Sequence, residues 1–264
     1  MSLDFPHPLI KFTERTEQLT KIKRFNRQGL EVMLYRTNLA SHSIRVYWLV
    51  NDLACVAMKV PEINMDAATA EALVHDDVEI LTGDITFDRK EQMRTAEVAE
   101  LKRRENSAIL ILEKLWPCNI QDIPYGYLLR RAMLKDTPAS QLRSYADRLD
   151  AYCEALHEVF AGNSAFCDVA RHYTSVSRER NERYPLIKEI FSLEHALLAN
   201  LPQLNFERIA KQGTLHTKET VREGTGISVY DQWRKITLSQ PEGLELLTRV
   251  REQYEEKEIS KKCE

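Results

Sequence analysis

Apolar residues recur at helical spacing along most of the chain, and they predict a protein built almost entirely from α-helices. The longest run extends from Ser41 to Met58 and is apolar on nearly every face, as in a helix buried at the centre of a bundle. Residues 1–12 are expected to form an irregular arm. Further helices are predicted at residues 16–25, at 127–134, from Pro138 onward, at 184–201 and at 241–257.

One stretch, residues 72–84, combines an apolar helical face with one imidazole and four carboxylates. The spacing predicts the end of an amphipathic helix, with Gly83 as the stop, because glycine adopts positive φ without a Cβ clash. His75, Asp76 and Glu79 lie three or four residues apart or adjacent, so they can point toward one region. Acids beside an apolar face must be paired or coordinated, and a divalent metal is the expected partner.

One helix supplies too few ligands for a metal, and two other segments offer more. His42 lies at the start of the long apolar helix, and Asp147 lies in a later helix among apolar or small neighbours. With His75 and Asp76 they would form a set of two imidazoles and two carboxylates. Such a set suits one divalent transition metal, Mn²⁺, Co²⁺, Fe²⁺, Ni²⁺ or Zn²⁺, better than Ca²⁺. Two nearby acids fall off this face and are expected to face solvent: Asp77 and Asp150.

The order of these candidates resembles that of the HD-domain metal-dependent phosphohydrolases. Longer strings are similar to the bacterial HD-domain 5′-deoxynucleotidases over roughly residues 20–175. The strings are Asn26-Arg27, Ser41-His42-Ser43, the run from His75 to Asp84, Ala146-Asp147, Gly162-Asn163 and Phe166. The resemblance implies an all-α HD-domain helical bundle over residues 1–180, followed by a helical C-terminal extension over residues 181–264.

The resemblance also implies the activity and the roles of residues. It implies a metal-dependent phosphomonoesterase that hydrolyses (deoxy)nucleoside 5′-monophosphates to nucleoside and phosphate. Glu79 and Asp84 would position and deprotonate the attacking water or protonate the leaving alkoxide. Arg27 would orient the phosphate, because its planar fork matches phosphate oxygens. Each of these three residues could instead be an ordinary surface side chain.

Two departures from the family pattern concern the substrate rather than the metal. The family has Trp after the arginine, where this chain has Gln28. The family follows its Gly-Asp with a proline-containing segment, where this chain has Ile85-Thr86-Phe87. Gln28 and Thr86 are therefore candidate contacts to the sugar or the base, and the substrate itself stays open.

Amino-acid composition and net charge further narrow the classes of protein to which this chain can belong. Only 8 of the 264 residues are glycine, which favours helices, and the net charge of −3 gives no electrostatic reason to expect nucleic-acid binding. No apolar run approaches the roughly 18–20 residues of a membrane span, so no membrane association is expected. The five cysteines are unclustered, and we expect reduced, mostly buried cysteines in a cytoplasmic protein. A homodimer is plausible by resemblance.

Two alternatives remain beside the monophosphatase. The chain could be an HD hydrolase of another phosphorylated nucleotide, a di- or triphosphate or a signalling nucleotide. The triphosphohydrolase branch typically shows His-Asp-x-Gly-His, and the alarmone-hydrolysing branch shows Glu-Asp three residues after the HD pair; this chain matches neither. The extension of roughly 80 residues motivates the second alternative, a non-catalytic regulatory HD module that binds a nucleotide.

Overall fold

A computed structural model of the chain describes residues 8–25, 37–85, 89–90, 92–116, 118–193 and 204–212. These residues are mainly helical, which confirms the all-α class. The described sheet is a ladder of two residues per strand, in which Asn119 pairs with Pro124 and Ile120 with Ile123. No helix in these ranges is long and apolar enough to cross a membrane.

The described residues fall into two compact units. The first unit holds residues 8–25, 37–54 and 61–147. The second holds residues 55–60, 148–193 and 204–212. The predicted boundary between residues 180 and 181 stays a prediction.

The helices and strands are numbered in chain order. Up to residue 116 they are α1 (Pro8–Lys21), α2 (Leu39–Asp52), α3 (Ala54–Ala57), α4 (Met65–Val74), α5 (Glu79–Thr82) and α6 (Thr95–Leu115). They continue with β1 (Asn119–Ile120), β2 (Ile123–Pro124), α7 (Tyr125–Leu134) and α8 (Pro138–Phe160). The last are a 3₁₀ turn (Ser164–Phe166), α9 (Cys167–Arg178), α10 (Arg180–Arg183), a 3₁₀ helix (Pro185–Ser192) and α11 (Phe206–Gln212).

Helix α4 is the centre of the first unit, with α2 and α7 packed against it. Its small residues allow this close approach, since Ala68, Ala70 and Ala72 are fully buried. Helix α7 also packs on α6, and a Cβ at Gly126 would lie 2.4 Å from the Glu113 side chain. One apolar cluster joins α4, α6 and α7, and removing it from water stabilises the unit. Its members are Ala70, Val74, Ile109, Leu112, Tyr125, Leu128 and Leu129.

Two helix predictions near the N-terminus were wrong. Helix α1 begins at Pro8, within the supposed irregular arm, and ends at Lys21 rather than at 25. The long helix predicted from Ser41 to Met58 ends at Asp52 and resumes as the short α3. A run that is apolar on every face carries no periodic signal for such a break. Ile44 and Trp48 are exposed, so α2 buries only one face.

The second unit contains the part of the chain where sequence periodicity was least reliable. The helix predicted at 184–201 is instead a 3₁₀ helix over Pro185–Ser192, and residues 194–201 lie outside the described ranges. Ile187 has non-helical dihedral angles (φ −123°, ψ 15°) inside this segment. Helix α9 packs on α11, where Arg171 pairs with Glu207. The predicted helix 241–257 also lies outside the description.

The described cysteines correct a further expectation. Cys55 and Cys118 are exposed, Cys153 is half-buried and Cys167 is buried, so these four are not mostly buried. None of these four cysteines forms a disulfide bond.

Candidate metal centre

Three separate segments bring the four predicted ligands together. His42 lies in the first turn of α2, whose start is fixed by Asn38: the Asn38 side chain accepts a hydrogen bond from the Ser41 amide at 2.9 Å. His75 and Asp76 lie in the turn after α4, and Asp147 lies on α8.

The turn after α4 differs from the continuous helix predicted for residues 72–84. Helix α4 ends at Val74, a turn follows, and the single-turn helix α5 begins at Glu79. Gly83 ends α5 with φ of +76°, which confirms the predicted stop. The interruption rotates the residues after the turn relative to α4, so helical spacing alone does not give their directions.

The ligand atoms lie at separations that suit a shared metal ion. His42 Nε2 is 3.1 Å from His75 Nε2, 3.4 Å from Asp76 Oδ2 and 3.3 Å from Asp147 Oδ1. His75 Nε2 is 3.4 Å from Asp76 Oδ1. Two atoms that each lie about 2.1 Å from one ion are about 3.0 Å apart at a right angle and about 3.4 Å apart at the tetrahedral angle. The spacing of His42, His75 and Asp76 therefore fits one divalent transition metal, and Asp147 lies beside one of these three ligands, His42.

The protonation of His75 also fits a metal ligand. Its Nδ1 lies 2.9 Å from the Ala72 carbonyl oxygen, which can only accept, so Nδ1 carries the proton and Nε2 presents its lone pair. Burial lowers the pKa of His75 to about 4, and the positive charge of Arg143 adds to this effect while Asp76 opposes it. The imidazole is neutral at pH 7, which is the form that binds metals.

Solvent reaches the centre from its carboxylate side. The two imidazole side chains are 0% and 1% exposed, whereas Asp76 is 15% and Asp147 is 23% exposed. Among the described residues of the centre, the two carboxylates are therefore the ligands nearest to solvent.

Glu79 and Asp84 lie close enough to Asp76 to interact with its charge. Burial raises the pKa of Glu79 well above its ordinary value, and the negative charges of Asp76 and Asp84 raise it further. Burial also raises the pKa of Asp84, with Arg24 opposing the change. The Oε2 atom of Glu79 is buried and has no hydrogen-bond partner among the residues described. A carboxyl in this state is suited to exchange a proton with a bound molecule.

The prediction that Asp77 and Asp150 face solvent was wrong. Asp77 is fully buried and Asp150 is 2% exposed. Asp77 accepts hydrogen bonds from Arg15 and from the Tyr125 hydroxyl, the latter at 2.7 Å. Burial raises the pKa of Asp77, and these two donors oppose the change. Asp77 thus anchors the turn that carries the neighbouring ligands.

A second polar network lies behind Asp147. Arg143 is four residues before Asp147 on α8, and its Nη1 lies 3.8 Å from Asp147 Oδ2. Its Nη2 donates to the Ala132 carbonyl at 2.6 Å. Glu71, which is 1% exposed, accepts a hydrogen bond from Ser140 at 2.9 Å.

Sequence reasoning missed several of these residues. The four-residue spacing of Arg143 and Asp147 was a usable signal, as was Glu71 inside an apolar run. Arg24, whose Nη1 lies 3.8 Å from Asp76 Oδ2, was also missed. The predicted substrate contacts Arg27, Gln28 and Thr86 lie outside the described residues.

Comparisons with known proteins agree with this geometry. A family model described as 5′-deoxynucleotidase YfbR-like matches residues 14–186, more than half of the chain. The 5′-deoxynucleotidase YfbR of Escherichia coli O1:K1 / APEC is 27% identical over 176 residues, which cover 66% of this chain and 87% of that protein. A 5′-deoxynucleotidase of Vibrio cholerae is 27% identical over 166 residues, covering 62% and 84%.

Two solved structures share the fold. The PH0347 protein of Pyrococcus horikoshii OT3 superposes with a TM-score of 0.54 at 20% identity, covering 76% of this chain and 99% of that one. An HD-domain phosphohydrolase of Listeria innocua superposes with a TM-score of 0.50 at 18% identity, covering 88% and 99%.

Proposed function

Because the chain belongs to the YfbR-like 5′-deoxynucleotidase family, whose members are HD-domain metal-dependent phosphohydrolases, we propose that it hydrolyses (deoxy)nucleoside 5′-monophosphates. The products are a nucleoside and inorganic phosphate. The grouping of His42, His75 and Asp76, with Asp147 Oδ1 3.3 Å from His42 Nε2, is the observation that supports this proposal.

These four side chains would hold one divalent transition metal. A metal at this position would lower the pKa of a water and polarise the phosphoryl group. The protein contributes two imidazoles that are at most 1% exposed and two carboxylates that are 15% and 23% exposed. The Ala72 carbonyl holds the His75 ring in the required tautomer.

Glu79 and Asp84 are the proposed proton-transfer groups. Their raised pKa values mean that each exchanges a proton nearer to neutral pH than an exposed carboxyl does. One would take the proton from the attacking water, and one would deliver a proton to the leaving 5′-oxygen. The orphaned Oε2 atom of Glu79 supports this role, because it leaves a buried acceptor to be satisfied by water or substrate.

A phosphate-release screen tests the proposal. Purified protein loaded with Mn²⁺ or Co²⁺ is incubated with 5′-dAMP, 5′-AMP, 3′-dAMP and dATP, and released phosphate, pyrophosphate and triphosphate are measured separately. We expect phosphate from the 5′-monophosphates and none from 3′-dAMP. Inorganic triphosphate and deoxyadenosine from dATP, without turnover of any monophosphate, would favour the triphosphohydrolase alternative. No turnover by protein that contains stoichiometric metal would favour the regulatory module.

Several finer expectations stay proposals. They are the substrate contacts Arg27, Gln28 and Thr86, the preference for deoxyribose, the homodimer, the cytoplasmic location and the helical extension over residues 181–264.

A further inference from the structure

Arg143 is a buried arginine on the helix that carries the predicted metal ligand Asp147. The residue is only 2% exposed, and it lies on α8 about one helical turn before Asp147. Its Nη2 donates to the Ala132 carbonyl at 2.6 Å, which ties α8 to the end of α7. A buried charge must be paired, so the groups that surround this guanidinium indicate its role.

Two carboxyl groups from different helices interact with the charge of Arg143. Asp147 Oδ2 lies 3.8 Å from Arg143 Nη1, which is the distance of an ion pair rather than of a hydrogen bond. Glu71 on α4 is 1% exposed; burial raises its pKa, and the positive charge of Arg143 opposes this change. Glu71 also accepts a hydrogen bond from Ser140 at 2.9 Å, which joins α4 to the first turn of α8. These contacts connect the helix that leads to two predicted ligands with the helix that carries a third.

The two carboxylate oxygens of Asp147 face different partners. Oδ1 lies 3.3 Å from His42 Nε2, whereas Oδ2 faces Arg143. Asp147 is also the most exposed of the four predicted ligands, at 23%, so packing confines its side chain least. A guanidinium that is fixed at its buried end can hold such a carboxylate in one orientation, with the other oxygen left toward the remaining ligands.

We propose that Arg143 is a positioning residue for the metal centre: it holds Asp147 by Oδ2, so that Oδ1 is presented beside His42 as a metal ligand. Glu71 and Ser140 in turn keep the helix of Arg143 against α4. This inference rests on the metal site of the proposed phosphatase.

Two other roles for Arg143 predict different effects on metal affinity. If Arg143 only satisfied the Ala132 carbonyl, its removal would lower stability and leave the metal affinity of the folded protein unchanged. If it acted only as a charge, its removal would tighten metal binding, because a cation beside the centre repels a metal ion. A positioning role predicts weaker metal binding. The sign of the change in affinity therefore separates the three roles.

Titration of metal-free protein with Mn²⁺ measures this change, with the free ion followed by its electron paramagnetic resonance signal. Arg143→Met should weaken Mn²⁺ binding about tenfold or more, the usual effect of losing a residue that orients a metal ligand. Arg143→Lys should weaken it by a smaller factor, because a compact ammonium replaces the two ends of the guanidinium fork with one. Circular dichroism should show the helix content of the wild type in each variant.

Arg131→Met is the matched control for the loss of a cation near Glu71. The charge of Arg131 also opposes the raised pKa of Glu71. Arg131 pairs with Asp136, with Nη1 2.9 Å from Oδ1, and none of its ion pairs among the described residues involves a predicted ligand. Its removal should change Mn²⁺ affinity less than about twofold.

Two results would overturn the inference. The first is a Mn²⁺ affinity of Arg143→Met that is within twofold of wild type, and the second is an affinity that is tighter than wild type. If Arg143→Met does not fold, Arg143→Lys decides, and unchanged or tighter Mn²⁺ binding in that variant overturns the inference.

The outcomes for Arg143 and for the proposed function are distinguishable. Wild-type protein whose Mn²⁺ binding depends on Arg143 but which hydrolyses no nucleotide would retain the inference and reject the phosphatase. Nucleotide hydrolysis by the wild type, together with a Mn²⁺ affinity that is insensitive to Arg143→Met, would reject the inference and retain the phosphatase.

Discussion

Arg15 holds Asp77 through two nitrogen atoms, with Nε 2.5 Å from Oδ2 and Nη2 2.6 Å from Oδ1. The same Nη2 also donates to the Leu73 carbonyl at 2.5 Å, and the Tyr125 hydroxyl donates to Asp77 at 2.7 Å. Three helices are thus tied to the turn that carries the metal-site residues. Asp76 and Asp77 are consecutive, yet one faces the centre and the other faces this anchor.

Removing the charge of Asp77 should destabilise the protein strongly. Asp77→Asn leaves the Arg15 guanidinium, whose side chain is 13% exposed, without this counter-ion, and breaking a buried pair in this way typically costs about 3–5 kcal/mol. Chemical denaturation measures the change. Glu62→Gln, at an exposed acid, is the control and should change the free energy of unfolding by less than about 0.5 kcal/mol. A loss below about 1 kcal/mol in Asp77→Asn would show that the pair contributes little net stability.

Removing the metal should lower the thermal stability of the protein, provided that the metal-binding side chains are intact. A metal that binds only the folded state adds about 2.7 kcal/mol when its free concentration is a hundred times its Kd. Treatment with a chelator should therefore reduce the Tm of the wild type measurably. His75→Ala removes one ligand, so its Tm should not respond to the chelator. An equal response in both proteins would place the stabilising metal elsewhere.

Glu79 should affect turnover without affecting the metal. Glu79→Gln keeps the size of the side chain and removes its ability to exchange a proton, so kcat should fall about 100-fold or more. Elemental analysis should still give stoichiometric metal, because Glu79 is outside the ligand set. Asp147→Asn is the contrasting variant and should lose metal and activity together. Full turnover in Glu79→Gln would exclude Glu79 from the mechanism.

Glu71 should make stability depend on pH. Burial raises its pKa above the ordinary value of 4.5, with Arg143 and Ser140 opposing. The folded state therefore binds this proton more tightly than the unfolded state, and the contribution of Glu71 to stability decreases as pH rises through the window above 4.5. Glu71→Gln removes the titration.

The stability of Glu71→Gln relative to wild type should therefore improve as pH rises above 4.5. Denaturant unfolding of both proteins across this range measures the difference. Glu62→Gln again serves as the control, with a difference that stays constant with pH. A constant difference for Glu71→Gln as well would contradict the raised pKa.

Local patterns in the sequence were sufficient to predict several features of the fold and of the candidate site. The 3.6-residue period predicted the all-α class and the helix that became α7. Gly83 was predicted as a stop and Pro138 as a start, because each imposes its own backbone geometry. The string from His75 to Asp84 pointed to the family before any coordinates. These signals act over one or two helical turns, so they survive without knowledge of the fold.

Contacts between distant segments decided which acids are buried and which residues lie beside the metal centre. Helical spacing placed Asp77 off the face that carries Asp76, but it could not show that Asp77 is buried. Asp77 is buried because Arg15, 62 residues earlier, and Tyr125, 48 residues later, reach it. Arg24 faces Asp76 because residues 22–24 pair with residues 37–39. A charge is buried where a partner from a distant segment compensates it, and only the folded chain brings such segments together.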